Sequence, residues 1–101
     1  MTDAARALDA LGDPTRRAVL ELLRGGERSV REITDDTEVS QPAVSQHLRV
    51  LRDAGLVAAR PEGTRRLYSV RPDGLSALRA WVDGFWDDAL SAFAAHVEED
   101  R

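Results

Sequence analysis

The residues best suited to chemistry in this chain lie in SQPAVSQHLRVLRDAGLV, residues 40 to 57. Their chemistry is recognition rather than bond-making. Gln41 and Gln46 end in amides that both donate and accept, Ser40 and Ser45 carry hydroxyls, and Arg49 carries a guanidinium. An amide of this kind matches adenine N6 and N7, and a guanidinium suits guanine or a phosphate. Spacing decides whether these groups are available. At 100° per residue, Val44, Leu48 and Leu51 share one helix face, while Pro42, Ser45, Gln46 and Arg49 share another. One stripe is expected to pack and the other to stay free for a partner. At the helix start Gln41 can reach either bases or phosphates, and the Ser40 hydroxyl and the first-turn amides should point outward at the positive end of the helix dipole, suited to one phosphate. His47 falls between the two faces. A packed histidine that positions the helix and a phosphate contact are both open for it.

A second polar group follows directly. LVAARPEGTRRLYSV predicts strand, turn and strand: Leu56 to Arg60, a tip at Pro61-Glu62-Gly63-Thr64, then Arg65 to Val70. Thr64, Arg65 and Arg66 stand at or just past the tip, where guanidinium groups suit phosphate or a narrow minor groove. Neighbouring strand residues face opposite sides, so Arg65 and Arg66 should not act alike. The overall charge of −4 argues at first against a nucleic-acid partner. Its distribution argues for one. Residues 40–71 carry Arg49, Arg52, Arg60, Arg65, Arg66 and Arg71 against Asp53 and Glu62, a balance of +4, whereas residues 1–39 stand at −3 and 72–101 at −5. A local field attracts phosphates even on an acidic molecule.

The elements that must hold these groups are marked by caps and turns. DAARALDALG suggests a short first helix bearing Leu8 and Leu11 and ended by Gly12. DPTRRAVLELLRGG is a second, with Asp13 as N-cap, Pro14 in the first turn and Gly25-Gly26 as the stop. Its apolar set, Ala18, Val19, Leu22 and Leu23, is expected to face the core. Ser29 and Glu32 form a capping box that opens a short third helix containing Ile33. Ser40 caps the fourth, and Gly55 falls at its C′ position. Pro72 opens a final helix. A helix pair joined by a short turn, its second member showing a polar face, is a helix-turn-helix, and the hairpin after it makes a winged helix. The expected architecture is mainly α with a small β-hairpin, four helices preceding the hairpin and one following, in a single domain over residues 1–101.

Composition narrows the function classes. The chain has 101 residues, 43% hydrophobic and 32% charged, as in ordinary globular domains. It has no cysteine, which removes disulfides, thiolate metal sites and thiol redox sensing. A Gly-rich phosphate loop is missing and the two histidines, His47 and His96, are far apart in sequence, so no catalytic activity and no cofactor are expected. MTDAARALDA lacks the apolar run of a signal peptide, and no segment is long enough to span a bilayer; a cytoplasmic protein with no membrane partner is the expectation.

The element order, together with DPTRRAVLELL, SQPAVSQHLRVLRDAGLV and the wing GTRRLYSV, resembles the ArsR/SmtB family of bacterial transcriptional repressors over nearly the whole chain. The resemblance implies a winged helix-turn-helix that binds double-stranded DNA through the fourth helix and the wing. It also implies a homodimer built on the first and last helices. The residues agree with that. Leu75, Leu78, Val82, Phe85, Trp86, Ala89, Phe93 and Val97 line one side of the last helix, and Trp81 and Leu90 widen the stripe to about half the circumference. So large an apolar payload exceeds what one small core can absorb. Part of it, with Leu8 or Leu11, should meet a second copy. An inverted-repeat operator follows from two-fold symmetry. Many family members sense metals through cysteines on the third helix; ERSVREI has none. A second family site uses Asp-x-His and His-x-x-Glu on paired last helices. At that spacing this chain has Asp83, His96 and Glu99, with Phe85 in place of the first histidine, a depleted set for which no metal is expected. A small-molecule effector, a partner protein and no ligand at all stay open. The alternative from another class is a winged-helix module that binds protein and not DNA.

Overall fold

Residues 2–99 are described in the structure, a computed structural model. Helix α1, Asp3–Ala10, starts where the Thr2 hydroxyl accepts the Ala5 N–H, and it buries Ala7 and Ala10. Helix α2, Pro14–Leu22, starts where the Asp13 carboxylate accepts the N–H groups of Thr15 and Arg16 at 2.8 and 3.1 Å. Pro14 sits at a position whose N–H would lack a helical partner anyway. Val19 and Leu23 are buried and Leu22 is half-buried, but Ala18 is exposed. The inward stripe is therefore narrower than the sequence suggests. Ala18 lies one residue around the helix from Val19, far enough to leave it on the wall of an open groove beside Pro14 and Val39.

Helix α3, Val30–Asp35, opens with the expected capping box: Glu32 N–H donates to Ser29 Oγ at 3.2 Å, and Ser29 N–H donates to Glu32 Oε1 at 3.1 Å. Helix α4, Gln41–Asp53, buries Val44, Leu48 and Leu51 completely. Its end closes through two hydrogen bonds, Gly55 N–H to Arg52 C=O and Leu56 N–H to Leu51 C=O, both 3.0 Å. That is a Schellman motif. It requires a left-handed residue at Gly55, whose φ is +78°.

Three strands form an antiparallel sheet in the order β1-β3-β2: β1 is Arg28–Ser29, β2 is Val57–Glu62 and β3 is Arg65–Val70. Sequence reasoning missed β1, since two residues carry no alternation to detect. The hairpin tip is also tighter than expected. Glu62 pairs with Arg65 and Pro61 with Arg66, so Pro61 and Glu62 belong to the strand and only Gly63-Thr64 turn. Gly63, with φ +62°, takes the first central position, as in a type II′ turn. Pro61 is tolerated because β2 is an edge strand.

The core is one cluster in which Val19, Ile33, Val44, Leu48, Leu51, Leu56 and Val57 are fully enclosed. Helix α5, Pro72–Glu99, contributes no buried residue to it. Its first turns rest on α1 and on the end of α4, where Arg71 N–H donates to Leu56 C=O at 2.8 Å and Gly74 lies directly against the Gly55 carbonyl. The remainder projects from the body. At ~1.5 Å per residue a helix of this length runs ~42 Å, and the molecule measures 66 × 26 × 25 Å. Its radius of gyration, 17.8 Å, exceeds the ~13 Å of a compact chain this long.

Candidate nucleic-acid interface

Helix α4 separates its two stripes as its periodicity requires. Val44, Leu48 and Leu51 are fully buried, while Gln41, Pro42, Ser45, Gln46 and Arg49 are all exposed. Ser40 is exposed too, but its Oγ already accepts the Ala43 N–H at 3.3 Å, and Ser40 C=O takes the Val44 N–H. Pro42 has no N–H to offer. The front of α4 is thus a sparser anion site than the sequence suggests: the Gln41 N–H and the Ser40 hydroxyl proton remain.

His47 is half-buried, and its Nδ1 is enclosed without a hydrogen-bond partner among the described residues. At the start of α2 the Asp13 carboxyl is held below the usual range chiefly by the Arg16 N–H, then by the Thr15 N–H, with His47 a smaller influence. The half burial of His47, beside the fully enclosed Val44, Leu48 and Leu51, places the ring at the margin of the packed face.

The wing's arginines divide into those held by acids and those left open. Arg60 makes a two-pronged contact with Glu27, at 2.6 and 2.8 Å. This pair lowers the Glu27 carboxyl and raises Arg60 further. Arg65 lies 3.6 Å from Glu32 and 3.9 Å from Glu62, and Arg71 lies 3.6 Å from Asp73. Glu32 is held below the usual carboxylate range chiefly by the Ser29 backbone N–H, then by the Ser29 hydroxyl, with Arg65 and Arg28 adding to the effect. Much of the local positive balance is therefore met by acids from elsewhere in the chain, which no sequence window reveals. Among the described residues Arg49, Arg52 and Arg66 have no ion pair. As strand alternation implies, Arg65 and Arg66 differ: Arg65 latches the wing onto α3, and Arg66 is free.

Between α3, α4 and the wing runs an open cleft of about 550 Å³, with Gln41, Ser45, Thr64, Arg65 and Arg66 on its walls. The reader face and the wing tip thus share one concave surface. Arg31 lines it too. Sequence reasoning passed over Arg31, although its place two residues before buried Ile33 puts it on the outer face of α3.

The expected dimer stripe is bare. Leu8, Trp81, Val82, Phe85, Trp86, Ala89 and Phe93 are exposed, Phe85, Trp86 and Phe93 by about two-thirds (66%, 63% and 67%). Leu11 and Leu78 instead lean on the protomer's own core. Trp81 and Phe85 touch each other, ring centres 5.3 Å apart. Of the depleted metal set, Asp83 faces Arg79 at 3.8 Å, and Asp83 and His96 stand ~20 Å apart along the rod of α5. A single protomer does not bring them together. Among the described residues no helix is long and apolar enough to cross a membrane.

Comparison with known proteins places this geometry. Residues 13–59 match the model of the bacterial regulatory protein arsR family. The chain is 50% identical over 95 residues to the HTH-type transcriptional regulator Rv2034 of Mycobacterium tuberculosis, covering 94% of this chain and 89% of that one. It is 33% identical to the transcriptional repressor SdpR of Bacillus subtilis over 75% of this chain and 84% of the relative. Among solved structures it resembles the homodimeric winged helix-turn-helix DNA-binding domain, fragment 1–100, of a Mycobacterium bovis protein. The TM-score is 0.69 at 36% identity, over 89% of this chain and 83% of that one.

Proposed function

The chain belongs to the arsR family of bacterial regulatory proteins and is a transcriptional regulator with a winged helix-turn-helix DNA-binding domain; from that premise we propose that it acts in the cytoplasm as a homodimeric repressor occupying an inverted-repeat operator. One observation carries the DNA reading: Ser45, Gln46 and Arg49 all face solvent on a helix whose opposite stripe is fully buried. Gln46 and Ser45 read base edges in the major groove, and Gln41 and Arg49 contact bases or phosphates. Ser40 and Pro42 seat the helix start against the backbone, and His47 sets its tilt from behind. Thr64 and Arg66 follow the adjacent minor groove or its phosphates, while Arg65 holds the wing at the angle that lets them do so.

The dimer is supported by the bare stripe on α5. Four aromatic side chains, each about half to two-thirds exposed, offer on the order of 500 Å² at ~150–250 Å² per whole side chain. The aliphatic residues beside them bring this towards the ~800 Å² per partner of a standard interface. The M. bovis neighbour is described as homodimeric, and SdpR as a repressor. Two reader helices related by a two-fold axis select half-sites about one helical turn apart, or a multiple of it.

Selection from a random-sequence duplex pool, followed by footprinting on the promoter of the protein's own gene, tests this. An inverted repeat that overlaps the promoter and lowers transcription when occupied is expected. Retention of no duplex at low salt would overturn the reading in favour of a protein-binding winged helix. A single unrepeated half-site bound as tightly as the repeat would overturn the dimer. Raised transcription on occupancy would overturn repression.

A further inference from the structure

We infer that Arg31, on the first turn of α3, grips a backbone phosphate of the bound duplex, so that α3 forms a third contact element between the reader helix and the wing. The inference rests on the DNA-binding reading above and extends it to a helix that reading leaves out.

Three observations combine. Position comes first. Pairing of β1 with β3 sets Ser29 opposite Leu67, which draws the first turn of α3 against the wing. Arg31 then forms one wall of the 550 Å³ cleft, Gln41 and Ser45 a second, and Thr64 and Arg66 a third. Charge comes next. Arg28 is bound to Asp36 at 2.6 Å, Arg60 to Glu27 and Arg65 to Glu32, yet Arg31 is exposed with no ion pair among the described residues. Asp35, one turn further along the same helix, forms no ion pair with it among the described residues, and Glu32 is turned back into the capping box and towards Arg65. The third observation is what surrounds the group: Gln41, Ser45 and Thr64 are neutral donors, and Arg66 is a second open cation. Two unpaired guanidinium groups and several neutral donors around one concavity make an anion groove. Since the first helix of a helix-turn-helix crosses the backbone, Arg31 on α3 reaches the strand and not the base edges.

The test is fluorescence anisotropy with a duplex carrying the selected repeat, titrated between 50 and 200 mM salt, for the wild type, R31A, R31K, R66A and R24A. Arg24 is exposed and likewise unpaired among the described residues, but it lies outside the cleft. Removing one phosphate contact from each protomer of the dimer lowers the log–log salt slope by about 1.8, so the gap between wild type and R31A should narrow about twelve-fold across that range. R66A should behave alike, R31K should keep most of the slope, and R24A should match the wild type. R31A should weaken every operator variant by the same factor. A wild-type slope in R31A, with the wild type binding normally, overturns the inference and leaves the DNA reading standing. A wild type that binds nothing at 50 mM salt overturns both. A loss confined to one base position would show that Arg31 reads sequence, and that also overturns the phosphate assignment.

Discussion

Replacing Gly74 by alanine sets two known effects against each other, and the structure says which wins. Gly74 lies inside α5 with ordinary helical geometry, where alanine is normally preferred by ~1 kcal/mol. A Cβ there would lie 2.2 Å from the Gly55 carbonyl oxygen, 2.8 Å from its carbon and 3.2 Å from the Leu56 Cα. All three are backbone atoms. No side chain can rotate away, and the segment they belong to is pinned by the Schellman bonds of α4 and by the Arg71–Leu56 hydrogen bond. Relief needs a movement of about 1 Å between two packed elements, and overpacking of this kind costs ~1–3 kcal/mol or more. Less the alanine gain, the net expectation for G74A is a loss of up to about 2 kcal/mol. Gly84 supplies the control within the same helix, since nothing lies within 4 Å of a Cβ there. G84A should therefore gain up to ~1 kcal/mol. Urea unfolding at fixed protomer concentration separates the two, with the midpoint read alongside the slope, because the stability of a dimer depends on concentration. A stabilised G74A would refute the close approach of α5 to the end of α4.

Gln46→Ala should cost about 1–3 kcal/mol at one base position and relax preference there, as measured on a set of operator variants; a uniform loss would mean that Gln46 only seats the helix. Phe93→Glu should turn the dimer into monomer in sedimentation equilibrium while far-UV circular dichroism keeps the body's signal, because Phe93 is 67% exposed in the protomer. An unchanged dimer would move the interface off this stripe. Acid stability should depend on Asp13. Its carboxyl is held below the ordinary value of 3.8, chiefly by the Arg16 N–H, so the native state binds its proton less readily than the unfolded chain. The stabilisation is complete above that ordinary value and is lost as pH falls through the lowered native one. Asp13→Asn keeps a capping oxygen, so it should show a shallower decline below pH ~4 in thermal melts; a decline parallel to the wild type would assign acid sensitivity to other carboxylates.

What the sequence revealed and what it hid follow a physical line. Caps were legible because they are local: Asp13, Ser29 with Glu32, and Ser40 each satisfy helix N–H groups within three residues of themselves. The two stripes of α4 were legible because a helix of 13 residues fixes its period. Contacts across sequence distance were not. β1 exists only because β3 is there to pair with it, and the tip of the wing was misplaced because Pro61 tolerates an edge strand as readily as a turn. The arginines show the limit most plainly. Composition counts Arg60 and Arg65 as free positive charge, yet Glu27 and Glu32, both outside that window, hold them. Arg31 was passed over for the converse reason, since it sits in an acidic stretch where Glu32 turns to Ser29 and Arg65 and Asp36 turns to Arg28.

The junction of Gly55 and Gly74 bears on how two reader helices could keep a fixed distance. In the proposed dimer, half-site spacing is set by a short chain of rigid links: α4, its closing turn, the start of α5, and the seam between two copies of α5. Three of these links lie within the protomer, and each is tight. Leu51 and Leu56 are fully buried beneath the closing turn, the Arg71 N–H fastens that turn to the chain entering α5, and Gly74 leaves no room for a side chain between the helices. Little can bend between the reader face and the aromatic stripe. A change in how the two α5 helices cross would swing both reader helices together. Any signal that alters operator affinity without touching the reader face therefore acts most economically on the seam between the two α5 helices, the one link that lies outside the protomer.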